Sequence, residues 1–129
     1  MSVVDASVMV FAITDPDRLA LDVSDLLSGR LQVPAIFPAE VTSGLRGLVI
    51  RRAITPELAS DARRRLGIAR LRLHPFRYYS ERIWELRDNL TVYDAWYVAL
   101  AERLGQPMVT RDAAILGAPG VRCDLIDAR

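Results

Sequence analysis

A chain of 129 residues, 51% hydrophobic and 26% charged, is long enough to bury one core and too short for two, so a single domain over 1–129 is expected. Cys123 is the only cysteine, which excludes an internal disulfide and a thiolate metal cluster; no run approaches the ~18 apolar residues of a membrane span, and a cytoplasmic protein is expected. The net charge of +1 hides a division, because all 17 basic residues are arginine and ten of them crowd between Arg46 and Arg82 against three acids.

SVVD opens a strand. ASVMVFAI reads as a helix, and PDRLALDVSDLLSG as a second helix with Gly29 as its C-cap. LQVPAIF is strand-like, with Pro34 placing its end near an edge or a turn. PAEVTSGLRGLVIRRA reads as a helix weakened by Gly44 and Gly47. TPELASDARRRLG has Thr55 as N-cap, Pro56 at the first helical position and Glu57 in the first turn, and closes at Gly67. RLRLHPF alternates as a strand stopped by Pro75. PFRYYSERIWELRDN and LTVYDAWYVALAERLG are helices, PMVT is a strand, RDAAILG a short helix and VRCDLID a final strand. Strands alternating with helices predict an α/β fold, with a mostly parallel central sheet of about five strands flanked by helices on both faces.

Four acids fall at particular places in this layout. Asp5 ends the first strand, Asp112 follows PMVT by one residue, Glu40 lies early in the helix after LQVPAIF, and Asp94 lies in the first turn of LTVYDAWYVALA. That last stretch has a single charge; a helix apolar on every face is buried on all sides, and a carboxylate there needs a partner. In open α/β sheets the ligand crevice lies beyond the carboxyl ends of the strands, where these four acids are able to converge. Each also has a purely structural use. Asp5 and Asp112 suit N-caps, Glu40 suits the positive end of a helix dipole, and Asp94 completes a capping-box spacing with Thr91.

Other reactive side chains are few. His74 is the only histidine, which excludes a two-histidine acid–base ribonuclease, and it reads as structural. Cys123 reads as a core thiol in the last strand, and Trp84 and Trp96 as core aromatics. Tyr78 and Tyr79, beside Arg77, are able to stack on bases of single-stranded RNA or to pack a helix start; packing is favoured. The arginine-rich segment fits either a polyanionic partner or a solvated helical hairpin.

VVDASV, PAEVTSGLR, YDAWYVALAERLG and MVTRDAAIL together resemble, in order and spacing, the motif series of PIN-domain ribonucleases, in particular the VapC-type toxins of type II toxin–antitoxin pairs. The resemblance covers nearly the whole chain, with the segment between Glu40 and Asp94 matching in layout alone. It implies that Asp5, Glu40, Asp94 and Asp112 form a catalytic carboxylate site, with the hydroxyls of Ser7 and Thr110 beside them. It further implies Mg²⁺ or Mn²⁺ as cofactor, an RNA substrate, a cognate VapB-type antitoxin and a homodimer. Mutually repelling carboxylates call for such a cation, since a like-charge pair at ~4 Å costs about 4 kcal/mol at an effective dielectric near 20. Arg51, Arg52, Arg63, Arg64 and Arg65 are the candidate RNA contacts. Two other readings remain: a catalytically silent module that binds RNA or antitoxin, and a receiver-like signalling domain, disfavoured because the chain has no lysine.

Overall fold

Short β-branched runs make the sheet. The computed structural model describes residues 2–129, with strands β1 (Ser2–Val4), β2 (Leu31–Pro34), β3 (Leu71–His74), β4 (Met108–Thr110) and β5 (Leu125–Asp127). They form one sheet in the order β3-β2-β1-β4-β5, with every neighbouring pair parallel. Val3 lies between Gln32 of β2 and Met108 of β4, so β1 is central. β1, β2 and β4 are wholly buried, while the edge strands β3 and β5 are partly exposed. A sheet buried on both faces explains why its central strands read as apolar runs rather than as alternation.

Parallel strands need crossovers, and helices supply them. These are α1 (Ala6–Thr14), α2 (Leu21–Leu27), α3 (Phe37–Ile50), α4 (Pro56–Ile68), α5 (Ser80–Glu85), α6 (Val92–Leu104) and α7 (Ala113–Leu116). Helices α1, α3 and α4 pack together, whereas α6 lies across β1, β2 and β4 with α5 against it. Right-handed crossovers in opposite directions along the sheet put these two groups on opposite faces. Ala95–Ala101 of α6 is an unbroken buried run, as its apolar sequence predicts, but its first-turn residues Val92 and Tyr93 are exposed. No helix among the described residues is long and apolar enough to cross a membrane.

Several local expectations are corrected. PDRLALDVSDLLSG splits into a 3-10 turn at Pro16–Arg18 and α2, and Ser28 rather than Gly29 caps α2. Gly67 lies inside α4, whose C-cap is Ala69. The left-handed glycine cap belongs instead to α6, at Gly105 (φ 62°). Pro34 ends an interior strand and a turn follows it at 35–36, as one of its two expected settings. PFRYYSERIWELRDN breaks into a 3-10 turn at Phe76–Tyr78 followed by α5. Trp84 is 63% exposed, with the Arg87 guanidinium 4.7 Å from its ring centroid, and Tyr78 is also exposed while Tyr79 is buried. Cys123 precedes β5 in a loop, half-buried, where burial first and then the Glu102 charge push its thiol up to about 11. A thiol held that high is an inert one.

Candidate active site

The chain runs from β1 outward through β2 to β3, then returns to place β4 on the other side of β1. The crevice at such a reversal, beyond the carboxyl ends of the strands, is where open α/β sheets bind ligands. Asp5 follows β1 and Asp112 follows β4, so both flank it.

Asp5 is only 5% exposed. Its Oδ1 accepts from the Ser7 hydroxyl (2.6 Å) and from the Val8 backbone N–H (3.1 Å), the second bond capping α1. Its Oδ2 accepts from the fully buried Thr110 hydroxyl. The Thr110 oxygen in turn accepts from the Asp112 backbone N–H at 3.0 Å, so one hydroxyl ties the ends of β1 and β4 together. Asp112 caps α7 through Oδ1, which accepts from the Ala114 N–H at 2.8 Å. Glu40 lies in the first turn of α3 and accepts the Tyr97 hydroxyl on Oε1 at 2.7 Å. Asp94 lies in the first turn of α6, where its backbone N–H donates to Thr91 Oγ1 at 3.2 Å.

The capping uses read from the sequence are therefore present for Asp5 and Asp112. Capping does not account for the electrostatics. The described ion pairs join Arg18 to Asp15, Arg64 to Asp61, Arg82 to Glu85 and Glu102, and Arg129 to Asp127. Among the described residues none of the four acids has a cationic partner, in a chain with 17 arginines. Burial raises the Asp94 carboxyl above the ordinary range; a hydrogen bond with Thr91 opposes this, and the charges of Asp112, Asp5 and Glu40 add to the rise. Burial also raises the Tyr97 phenol, helped by its bond to Glu40 and by the charges of Glu40, Asp5 and Asp94, so its hydroxyl stays a donor. Asp94 thus feels the charges of three acids that come from three other segments.

What they offer a ligand is oxygen, which suits a hard divalent cation such as Mg²⁺ or Mn²⁺, and the repulsion on Asp94 is what such a charge relieves. The set fits in donor chemistry but is not a closed cage. Among the described residues no group of three or more His, Cys, Asp or Glu side chains is arranged to hold a metal ion. Mg²⁺ ordinarily keeps several waters and takes only one or two carboxylates, a mode that needs no such cage.

Away from the acids, His74 Nε2 lies 2.5 Å from Gln32 Oε1 and its Nδ1 3.2 Å from the Tyr79 hydroxyl. Burial, then Arg72, lowers its pKa, which fits a neutral structural imidazole. The candidate RNA contacts lie on α3 and α4, with Arg51 and Arg52 just after α3 and Arg63, Arg64 and Arg65 in the second half of α4, all exposed. Arg65 donates to the Ile13 carbonyl at 2.8 Å and Arg64 pairs with Asp61. Two residues near the acids escaped the sequence reading. Tyr97 had a signal, its position one helical turn beyond Asp94. Arg111, between Thr110 and Asp112, lies 3.9 Å from the Phe11 ring centroid, donates to the Ala128 carbonyl and shares a groove wall with Ser7.

Comparison with known proteins agrees with this architecture. The PIN domain family matches residues 2–119. VapC ribonuclease Mb0985 of Mycobacterium bovis is 39% identical, covering 97% of this chain and 96% of the relative; Ribonuclease VapC1 of Mycobacterium tuberculosis is 35% identical over 95% and 94%. Among solved structures, VapBC2 from Rickettsia felis bound to a promoter DNA fragment superposes with a TM-score of 0.66 at 17% identity, over 99% of this chain and 98% of that one. FitAcB from Neisseria gonorrhoeae gives 0.65 at 18%, over 98% and 97%; at such identities the likeness concerns the fold. With its family model spanning all but the last ten residues and the first, and relatives aligned end to end, the chain belongs to the PIN-domain family, in its VapC group.

Proposed function

We propose that this protein is the toxin of a toxin–antitoxin pair and acts as a Mg²⁺- or Mn²⁺-dependent endoribonuclease that hydrolyses RNA phosphodiester bonds. The observation that carries the proposal is the buried Asp5 at the sheet reversal, sharing a field with Asp94, Asp112 and Glu40 and without a cationic partner among the described residues. Asp5 and Asp94 would hold the ion, with Asp112 next in line, and Glu40 would bind a second ion or orient the attacking water. A bound divalent ion supplies the positive charge that polarises the scissile phosphate and stabilises the leaving oxygen.

The chain's own groups do the rest. Ser7 and Thr110 fix the Asp5 carboxylate by hydrogen bonds to both of its oxygens, which orients it as partners of metal-binding carboxylates do. Buried β1 and β4 carry Asp5 and Thr110 on rigid backbone, and the α6 cap at Thr91 sets the start of the helix bearing Asp94. Of the five candidate arginines, Arg51, Arg52 and Arg63 would meet RNA phosphates, whereas Arg64 pairs with Asp61 and Arg65 holds the Ile13 carbonyl. The relatives solved as VapBC2 and FitAcB support a VapB-type antitoxin as partner, and a homodimer is the expected assembly. The site would then work in the cytoplasm.

That no three-acid arrangement is found among the described residues favours one second reading, a catalytically silent module that binds RNA or antitoxin. Cleavage of RNA by the purified protein separates the two. Wild type is expected to cleave with Mn²⁺ and not with EDTA, and to arrest growth when induced alone. Asp5→Ala and Asp94→Ala should do neither while remaining folded by circular dichroism. Growth arrest by folded Asp94→Ala protein as strong as by wild type would favour the binding module.

A further inference from the structure

Tyr97 is 2% exposed, and its volume in the core is one that phenylalanine also fills. Its single addition over phenylalanine is a hydroxyl, and that hydroxyl donates to Glu40 Oε1 at 2.7 Å. Glu40 comes from α3 and Tyr97 from α6, so the bond joins two helices that enter the site from separate crossovers. On α6, Tyr97 stands one turn after Asp94, which lets the same helix present an acid and a donor.

Glu40 needs such a hold more than Asp5 and Asp112 do. Asp5 is short, buried and held by three hydrogen bonds, and Asp112 is fixed by capping α7. Glu40 has one more rotatable bond, is only half-buried, and has no cationic partner among the described residues. Repulsion from its neighbours favours swinging that carboxylate outward, where water and salt screen it. We infer that Tyr97 is a positioning residue of this site: its hydroxyl pins Glu40 through Oε1 and leaves Oε2 for the attacking water or an ion. The inference rests on the nuclease reading above. A bond that fixes one oxygen sets the direction of the other, and positioning of this kind contributes through orientation rather than through substrate binding.

The test uses Tyr97→Phe, Glu40→Gln and the double variant of the full chain, each checked by melting. RNA cleavage in Mn²⁺ is measured for kcat and KM, and Mn²⁺ alone is titrated into the metal-free proteins by calorimetry. Tyr97→Phe is expected to lower kcat or Mn²⁺ affinity about tenfold or more, the usual effect of losing a partner that orients a ligating carboxylate, with KM for RNA unchanged. In a Glu40→Gln background the same change should have no further effect, because Tyr97 acts through Glu40. An equal loss in both backgrounds would mean that the hydroxyl serves the fold alone, and the inference falls. It falls also if wild type cleaves and Tyr97→Phe matches it in both measurements. Wild type that fails to cleave with Mn²⁺ overturns the nuclease reading, and this inference with it.

Discussion

Asp94 illustrates how one carboxylate opposes the fold it belongs to. Its pKa is raised, by burial first and then, against the Thr91 hydrogen bond, by the charges of Asp112, Asp5 and Glu40. The folded state therefore binds the Asp94 proton more tightly than the unfolded state, and stability is lost as pH rises from the ordinary carboxylate pKa through the raised one. In EDTA at neutral pH, Asp94→Asn should melt higher than wild type, by a few degrees at most, since the group is half-exposed and screened. The difference should vanish at about pH 3, where both carboxyl states are neutral. Equal melting of the two proteins at neutral pH would rule out the repulsion. Mn²⁺ at about ten times its dissociation constant should reverse the order, stabilising wild type by about 1.4 kcal/mol and leaving the variant unmoved.

Between elements, α1 and α3 approach closely at Gly44. A Cβ placed on Gly44 would come within 2.9 Å of Val10 Cγ2, and a β-branched valine has little freedom to retreat. Helix propensity alone makes Gly44→Ala favourable by about 1 kcal/mol, whereas overpacking a tight contact costs about 1–3 kcal/mol. The net expectation is a loss of up to about 2 kcal/mol, read as a lower denaturation midpoint with an unchanged m-value. A more stable Gly44→Ala protein would mean that α1 and α3 separate freely. The glycine that weakens α3 by propensity is thus the one that lets α3 lie against α1 and bring Glu40 to the site.

Across the whole molecule, Asp5 and Asp112 follow the carboxyl ends of β1 and β4, and the arginines spread over α3 and α4. Not all of those arginines are free for RNA. Arg64 is paired with Asp61 and Arg65 ties α4 to the Ile13 carbonyl, while Arg52 and Arg63 are exposed and without an ion pair among the described residues. Arg52→Gln and Arg63→Gln should each weaken binding of single-stranded RNA across sequences and reduce the salt slope by roughly 0.7. Arg65→Gln should instead lower stability, because a charge-assisted bond to a buried-side carbonyl contributes about 1.5–3 kcal/mol. If Arg52→Gln and Arg63→Gln both left affinity and slope unchanged, RNA would have to meet another face.

The sequence by itself determined the alternation of strands and helices, the starts of α4 and α6, and the ordered motifs that carry Asp5, Glu40, Asp94 and Asp112. These depend on neighbours a few residues apart: Thr55 accepting from Leu58, Thr91 from Asp94, an apolar run long enough to be buried all round. Local patterns misplaced the glycine cap, because only the backbone decides which glycine takes positive φ, and Gly105 rather than Gly29 or Gly67 does. They also put Trp84 in the core, since a ring's burial depends on what packs over it and not on its type. The motif series implied which acids belong together, but the contacts made near them were decided by tertiary structure. Glu40 meets Tyr97 across 57 residues and Asp5 meets Thr110 across 105, distances over which no pattern in the chain signals contact. Strand order sets the second of these: because β4 returns to the far side of β1, the ends of two strands remote in sequence become neighbours, and Asp5 at one end meets Thr110 at the other.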